Sequence, residues 1–503
     1  MTRVQQGPPR LQAWLNRLEV VGNRLPHPVL LFILLSIALV LLSTLMTATQ
    51  VSAQHPATGE WLHSRSLLSR EGLLWMLNNA VGNFTGFAPV GPVIVAIMGI
   101  AIAEHSGLLA CVLSRLARRA SERYLSAVIV FTGVLSSIGF DSGYVVLIPL
   151  AALIFKAAGR PPLAGIAAAF AGVSGGYSAN LMLGTVDAIL AGISTEALSL
   201  VAPQAEVLVS DNYYFIIAST FLITFIGARV NDHIVEPRLR SNTDTPLEQS
   251  TDEIANPAER RALRWVAAFS VAYLALLISL VALPDGLLRN PDVTGMVAYP
   301  LLRGIVIFIA LYAGIAGMLF GYLSGKFTRS SDWVLAMEKG MATLAGYLVL
   351  MFFAAQFVNY FAWSGIGAVV AIKGAQALAA LQLPSTALLV AFVLTTAAIN
   401  LLIGSASAKW ALMAPIFVPM LYMLGIDAAS VQMAYRIGDS SSNIITPLMP
   451  YFGVVVAFMQ KHDERAGIGS LMALMLPYSV ALLLGWTLML SLWMLAGLPL
   501  GPG

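Results

Sequence analysis

The chain has 503 residues, 58% of them hydrophobic and 11% charged, with a mean hydropathy of +0.81. Soluble domains carry about 25% charged residues, so a water-soluble globular protein is excluded. A net charge of +3 argues against nucleic-acid binding, and a single cysteine, Cys111, leaves no intrachain disulfide to form.

In chain order, residues 1–27 read as a cytoplasmic arm, because mixed residues precede the first apolar run and no small-residue cleavage pattern follows it. Residues 28–48 are a first transmembrane helix, since a span needs about 20 apolar residues. Further apolar segments lie near 88–113, 125–158, 163–198, 213–230, 262–283, 300–323, 341–364, 386–423, 430–459 and 468–497. Basic residues cluster in the short loops after 113 (Arg115, Arg118, Arg119, Arg123), after 155 (Lys156, Arg160), across 229–265, at Lys326, Arg329 and Lys339, and at Lys461 and Arg465. The positive-inside rule makes all of these cytoplasmic.

Segment 125–158 is therefore flanked by cytoplasmic loops on both sides. It is too short to cross a core of about 30 Å twice at about 1.5 Å per residue. A re-entrant hairpin satisfies both constraints, and its middle, Ser136 to Gly143, is polar and glycine-rich and includes Asp141. Segment 386–423 behaves likewise from the other side, with its tip at Asn400 to Ser407. The expected fold is an all-α polytopic membrane protein of nine transmembrane helices and two re-entrant hairpins, N-terminus inside and C-terminus outside.

The two halves repeat. His105-Ser106-Gly107 resembles Trp363-Ser364-Gly365, both tips are followed by an aromatic residue and a proline (Tyr144 and Pro149, Trp410 and Pro415), and the stretch from Gly175 matches that from Gly438, pairing Asn180 with Asn443. Each match is offset by about 260 residues. Loop charges give the halves opposite orientation, which defines inverted repeats at 72–230 and 333–497, with a cytoplasmic loop at 231–261 and scaffold helices at 262–323. Segments 163–198 and 430–459 read as broken helices. Unwound backbone at membrane depth survives only beside protein or a wet cavity, where its free groups hold ions and substrate.

Within these breaks, Arg436 and Asp439 are charges inside an apolar span, which usually mark a transport pathway, although a structural ion pair is the plainer alternative. Asp187, Asn180, Asn400, Asp439 and Asn443 offer the hard oxygens that sodium prefers, although Asp187 also fits a helix end. Lys409 can meet a carboxylate and Trp410 an aromatic ring; the alternatives are a snorkelling amine and an interfacial anchor. Ser407 adds a hydroxyl. Glu104 and His105 can relay protons or close a short helix break. No metalloprotease, thiol-redox or nucleophile-elbow motif is present, so the chain is not read as an enzyme, and no cofactor is expected beyond a coupling ion, sodium or proton.

The stretches Leu18–Pro28, Gly404–Ala411 and Tyr435–Pro447 resemble the p-aminobenzoyl-glutamate transporter (AbgT) family, and the resemblance extends over essentially the whole chain. It implies a homodimer of nine-helix protomers with two hairpins, in the bacterial inner membrane. It also implies sodium- or proton-driven movement of p-aminobenzoyl-glutamate, or export of p-aminobenzoate and its sulfonamide mimics. The positions resembling the family's functional set are Asp187, Asn400, Ser407, Trp410, Arg436, Asp439 and Pro447. A sodium-coupled di- or tricarboxylate carrier of the same plan is the nearest alternative, but its Ser-Asn-Thr motif is missing at Ala179-Asn180-Leu181 and Ser442-Asn443-Ile444. A channel or membrane-embedded enzyme is the alternative from another class.

Overall fold

The computed structural model describes residues 28–54, 61–88, 90–118, 122–137, 143–240, 257–283, 286–288, 300–301, 304–449 and 451–502. The N-terminal arm, Asp141 with most of the first tip, Arg119 and much of the 231–261 loop lie outside this range. The helices are α1 Pro28–Ala48, α2 Arg70–Thr85, α3 Val90–His105, α4 Leu108–Arg118, α5 Leu125–Ser136, α6 Ile148–Ala157, α7 Pro162–Phe170, α8 Thr185–Leu198, α9 Tyr213–Val230 and α10 Glu236–Arg240. They continue with α11 Pro257–Ala282, α12 Ile305–Ser324, α13 Asp332–Thr343, α14 Ala345–Trp363, α15 Ile366–Ala379, α16 Ser385–Asn400, α17 Ala406–Tyr422, α18 Ala428–Asn443, α19 Phe452–Gln460 and α20 Ile468–Leu495. One short antiparallel pair, Ser52–Gln54 with Trp61–His63, joins α1 to α2.

Among the described residues, seven helices are long and apolar enough to cross a membrane. The two broken spans stand beside them, as α7 and α8 in the first half and α18 and α19 in the second. Exposed leucines, isoleucines and valines line α1, α11 and α20, as lipid-facing surfaces require. Five helices fall where the sequence marks no separate segment: α2, α4, α10, α13 and α15. They are short or carry a polar face, so a search for long apolar runs passes over them.

Local geometry repeats between the halves. Gly107 and Gly365 both adopt left-handed φ, +80° and +73°. Each follows a buried serine whose hydroxyl bonds back into its own helix, Ser106 to Ala103 and Ser364 to Phe361. A left-handed residue ends the helix, and glycine takes it without the Cβ clash. The aromatic residues after each tip cross to the opposite half: Tyr144 stacks on Tyr451 at 4.3 Å, and the Trp410 indole donates to Leu190 O and Ser194 Oγ on α8.

Each broken helix packs between the arms of its own hairpin, α7 against α5 and α6, and α18 against α16 and α17. Helix α18 also lies against α8 and α20, so it sits at the centre of the molecule. Small residues permit the close approaches: a Cβ on Gly172 would meet Val130 O at 2.3 Å, and one on Gly438 would meet Val393 O at 2.4 Å. The outer layer is built the same way, α3 against α12, where a Cβ on Gly99 would meet Ala310 O at 2.0 Å.

A polar knot holds the base of the first hairpin. Arg160, between α6 and α7, bonds Asp232, Glu236 and Ser126, while Asn231 donates to Ser126 and accepts from Tyr478 of α20. Glu236 is buried and Arg160 nearly so. Removing the guanidinium leaves a buried carboxylate unpaired, so Arg160→Ala should cost about 3 kcal/mol of stability in a detergent unfolding measurement. An unchanged midpoint would show the knot to be solvated.

In the loop before α9, burial pushes the Asp211 carboxyl up to about 6, against one opposing hydrogen bond from Leu208 N. Its second oxygen has no partner among the described residues. Between about pH 4 and pH 6 the folded protein keeps a proton that the unfolded chain has released, so stability falls as pH rises through that window. Asp211→Asn should remove this slope. Thermal midpoints of the two proteins, compared from pH 4 to pH 8, should draw together at the acid end and separate above pH 6, with the variant higher.

Candidate substrate and ion site

Helix α18 is polar along most of its length, and all sixteen of its residues are buried. A polar helix can be enclosed in a membrane protein only if its side chains find partners inside the fold. Some hydroxyls turn back on the helix itself, Ser441 to Ile437 O and Ser442 to Gly438 O, both at 2.6 Å. The charged groups reach outward in two directions.

Toward the second tip, the Lys409 ammonium bonds both Asp439 Oδ1 and Asn400 Oδ1. The Asn400 amide donates to Asp439 O, Ser442 Oγ and Asn443 Oδ1 at 2.8–2.9 Å. The Asn443 amide reaches Asp439 Oδ2 at 3.4 Å. Lys409 and Asp439 are both almost wholly buried. Asn400 ends α16 and Lys409 lies in the first turns of α17, so the two ends of the tip are tied together through Asp439.

Toward the first half, Arg436 forms a buried ion pair with Asp187. Asp187 sits three residues past Gly184, which precedes α8, and its other oxygen accepts the Gly184 N–H at 2.7 Å. One carboxylate thus caps α8, complements its dipole and holds the guanidinium of the other half. The Nε of Arg436 has no partner among the described residues, and neither do the hydroxyls of Ser178 and Thr185. Beside them is a cavity of about 10 Å³ bordered by Ser137, Ser178, Asn180, Asp187 and Arg436. That is room for one water-sized particle and not for an aromatic ring.

Trp410 is fully buried, with its ring 4.4 Å from that of Tyr435 and its N–H shared between Leu190 O and Ser194 Oγ. Ser194 in turn donates to Gln432 of α18 at 2.8 Å. Ser407 is half-buried in the first turn of α17. Pro447 lies in the non-helical stretch after α18, and lacking an N–H it cannot extend that helix.

The structure sorts the candidate residues by neighbour. The five oxygen-bearing candidates for sodium divide in two: Asn180 and Asp187 border the cavity, whereas Asn400 and Asp439 bond the Lys409 ammonium and Asn443 bonds those two residues. Arg436 and Asp439 are not partners for each other, because three residues of helix send them to different neighbours. Ser194 and Gln432 were not singled out in the sequence. The signal for Gln432 was its place four residues before Arg436, on the same helical face.

Comparison with known proteins follows the same outline. The AbgT putative transporter family model matches residues 13–503. The chain belongs to the AbgT transporter family. It is 37% identical over 497 residues to the p-aminobenzoyl-glutamate transport protein of Escherichia coli (strain K12), covering 98% of this chain and 96% of that protein. It is similar to the solved Alcanivorax borkumensis YdaH transporter, with 50% identity, a TM-score of 0.90, and 95% and 100% of the two chains covered. Similarity to Neisseria gonorrhoeae MtrF, described with a class of antimetabolite efflux pumps, is 44% identity at a TM-score of 0.91, covering 97% and 99%. As an AbgT-family member the chain is a membrane transporter and not an enzyme.

The cross-half pair gives a direct test. Truncating either Asp187 or Arg436 to alanine should cost about 3–5 kcal/mol, because the remaining charge is stranded in the interior. The double variant Asp187→Ala/Arg436→Ala should cost clearly less than the sum of the singles. Additive losses in a double-mutant unfolding cycle would mean that the two groups are not coupled.

Proposed function

We propose that this AbgT-family protein is an ion-coupled secondary transporter of p-aminobenzoyl-glutamate, p-aminobenzoate or a related aromatic carboxylate, with sulfonamide antimetabolites among its exported cargo. We place it in the bacterial inner membrane as a homodimer, with the N-terminus cytoplasmic and the C-terminus periplasmic.

The observation that carries the reading is Arg436, a buried guanidinium held by Asp187 with one N–H unused beside the cavity. A substrate carboxylate takes that N–H in a charge-assisted bond and competes with Asp187 for the rest of the guanidinium. Because Asp187 belongs to the first half and Arg436 to the second, this competition loosens one half from the other. A substrate ring reaches Trp410 only if the indole leaves Tyr435 or its contacts on α8, so loading moves α17 relative to α8. Ser407 and the backbone break at Pro447 line the same end of α17 and α18, and Lys409 neutralises Asp439 while the halves move.

The coupling ion is sodium or a proton. The oxygens that fit sodium are those of Asp187 and Ser178, because both residues border the ion-sized cavity and the Ser178 hydroxyl lacks a partner among the described residues. Asn180 adds to this side. At Asp439 and Asn400 a cation is already present as the Lys409 ammonium, and the Asn443 oxygen is taken by the Asn400 amide, so a free ion would join those oxygens only by displacing these groups.

The test is a proteoliposome assay with labelled p-aminobenzoate and p-aminobenzoyl-glutamate under imposed sodium or proton gradients. Gradient-dependent accumulation is expected, with transport falling at least about tenfold in Arg436→Ala, the loss of one charge-assisted hydrogen bond. Asp439→Ala and Trp410→Ala should also transport poorly. Inertness toward both cargoes would remove the substrate assignment, and normal rates in all three variants would remove the site.

A further inference from the structure

We propose that a cleft between the end of α3, the α12–α13 linker and the start of α13 binds the phosphate of an anionic phospholipid headgroup. The cleft encloses about 410 Å³, and its charged lining is His105, Lys326, Arg329 and Lys339 with the single carboxylate Asp332. One oxygen of Asp332 is committed to the backbone N–H groups of Thr328 and Arg329, at 2.7 and 2.8 Å. Among the described residues the ammonium and guanidinium groups of Lys326, Arg329 and Lys339 make no hydrogen bond or ion pair, and Arg329 acts on Asp332 only through its field. His105 uses Nδ1 on Ala101 O at 2.9 Å, which leaves Nε2 open.

The cleft is open to solvent, with His105, Lys326, Arg329 and Lys339 all exposed, but it is more than one basic loop. The Lys326 ammonium folds back over the α3–α4 turn, where a Cβ on Gly107 would sit 2.4 Å from it. The cations come from three separate elements, so their convergence is a product of tertiary packing. Three or four positive groups around one cavity, with the only carboxylate partly neutralised, match a phosphate.

Its surroundings point to a lipid as the source of that phosphate. The cleft lies where the apolar spans α3 and α12 end, at the level of interfacial aromatics. Tyr322 is exposed there, packs on Phe327 and donates to Arg329 O at 3.0 Å; Trp333 is nearby on α13. From Tyr322 an exposed apolar stripe runs along α12 through Ile315, Leu311 and Ile307, four residues apart on one face, as an acyl chain requires. Leu335 exposes an apolar side chain at the cleft itself. A lipid seated this way would tie α3, α12 and α13 together.

The experiment uses the purified full-length protein in detergent, titrated with phosphatidylglycerol, phosphatidylcholine or inorganic phosphate. It follows the thermal midpoint and, by native mass spectrometry, the number of lipids bound. Phosphatidylglycerol should raise the midpoint saturably, with phosphatidylcholine and inorganic phosphate much weaker. Lys326→Gln or Arg329→Gln should each weaken phosphatidylglycerol binding about fivefold, and the double variant about 25-fold, the effect of one and two interfacial cations. Lys339→Gln serves as the milder probe if the double variant is unstable. Lys461→Gln, an exposed cation elsewhere, should leave binding unchanged. Equal stabilisation by phosphatidylcholine, or an equal loss in Lys461→Gln, overturns the site. Saturation by inorganic phosphate at the same concentration overturns the lipid as its ligand.

Discussion

A charge enclosed where water does not reach has to be met by an opposite charge, and this molecule is organised around two such encounters on one helix. Helix α18 carries Arg436 and Asp439 fully buried. The first is met by Asp187 from the other half of the chain, and the second by Lys409 from the adjoining hairpin. An isolated charge at the bilayer centre costs several kcal/mol, so neither pair can be separated without a replacement. That requirement fixes where α8, α16 and α17 stand, because each supplies a partner or carries one at its end. It also fits transport, since a substrate carboxylate and a coupling cation are themselves the replacement charges that let such pairs exchange.

The scaffold keeps the symmetry that the chemistry has lost. Serine–glycine turns close α3 and α14 with the same left-handed glycine and the same serine back-bond. Asn180 and Asn443 occupy matching breaks and bond residues at the ends of matching hairpin arms, Ser137 after α5 and Asn400 at the end of α16. Yet Lys409 and Asp439 have glycines, Gly143 and Gly176, as their repeat mates. A Cβ on either glycine would collide with a neighbour, Ser136 Oγ at 2.1 Å or Gly172 O at 2.5 Å. The first half is packed too tightly at these points to hold a charged pair, and the ion-sized cavity lies on its side instead.

Much of this was legible in the chain. Segments 125–158 and 386–423, which loop charge and length mark as hairpins, each carry two helices, and the breaks follow from polar and glycine residues inside apolar runs. The repeat follows from order and spacing. The amphipathic α4 escaped because its signal is a face and not a run, and the apolar α15 escaped because it is shorter than a span. The Arg160 knot escaped as well, since its members are separated by 34, 72 and 76 residues and each alone looks like an ordinary loop charge.

The sequence by itself determined what each segment is: which runs span, which are interrupted, and which residues bring charge or oxygen into the membrane. Those are local properties, set by composition over a turn or two of helix. Only the tertiary structure decided who meets whom. Arg436 pairs with a residue 249 positions away, and Lys409 with one 30 positions away, while three-residue neighbours on α18 stay apart. A helix displays its side chains in all directions, and the direction that becomes a contact is set by the packing of other helices around it.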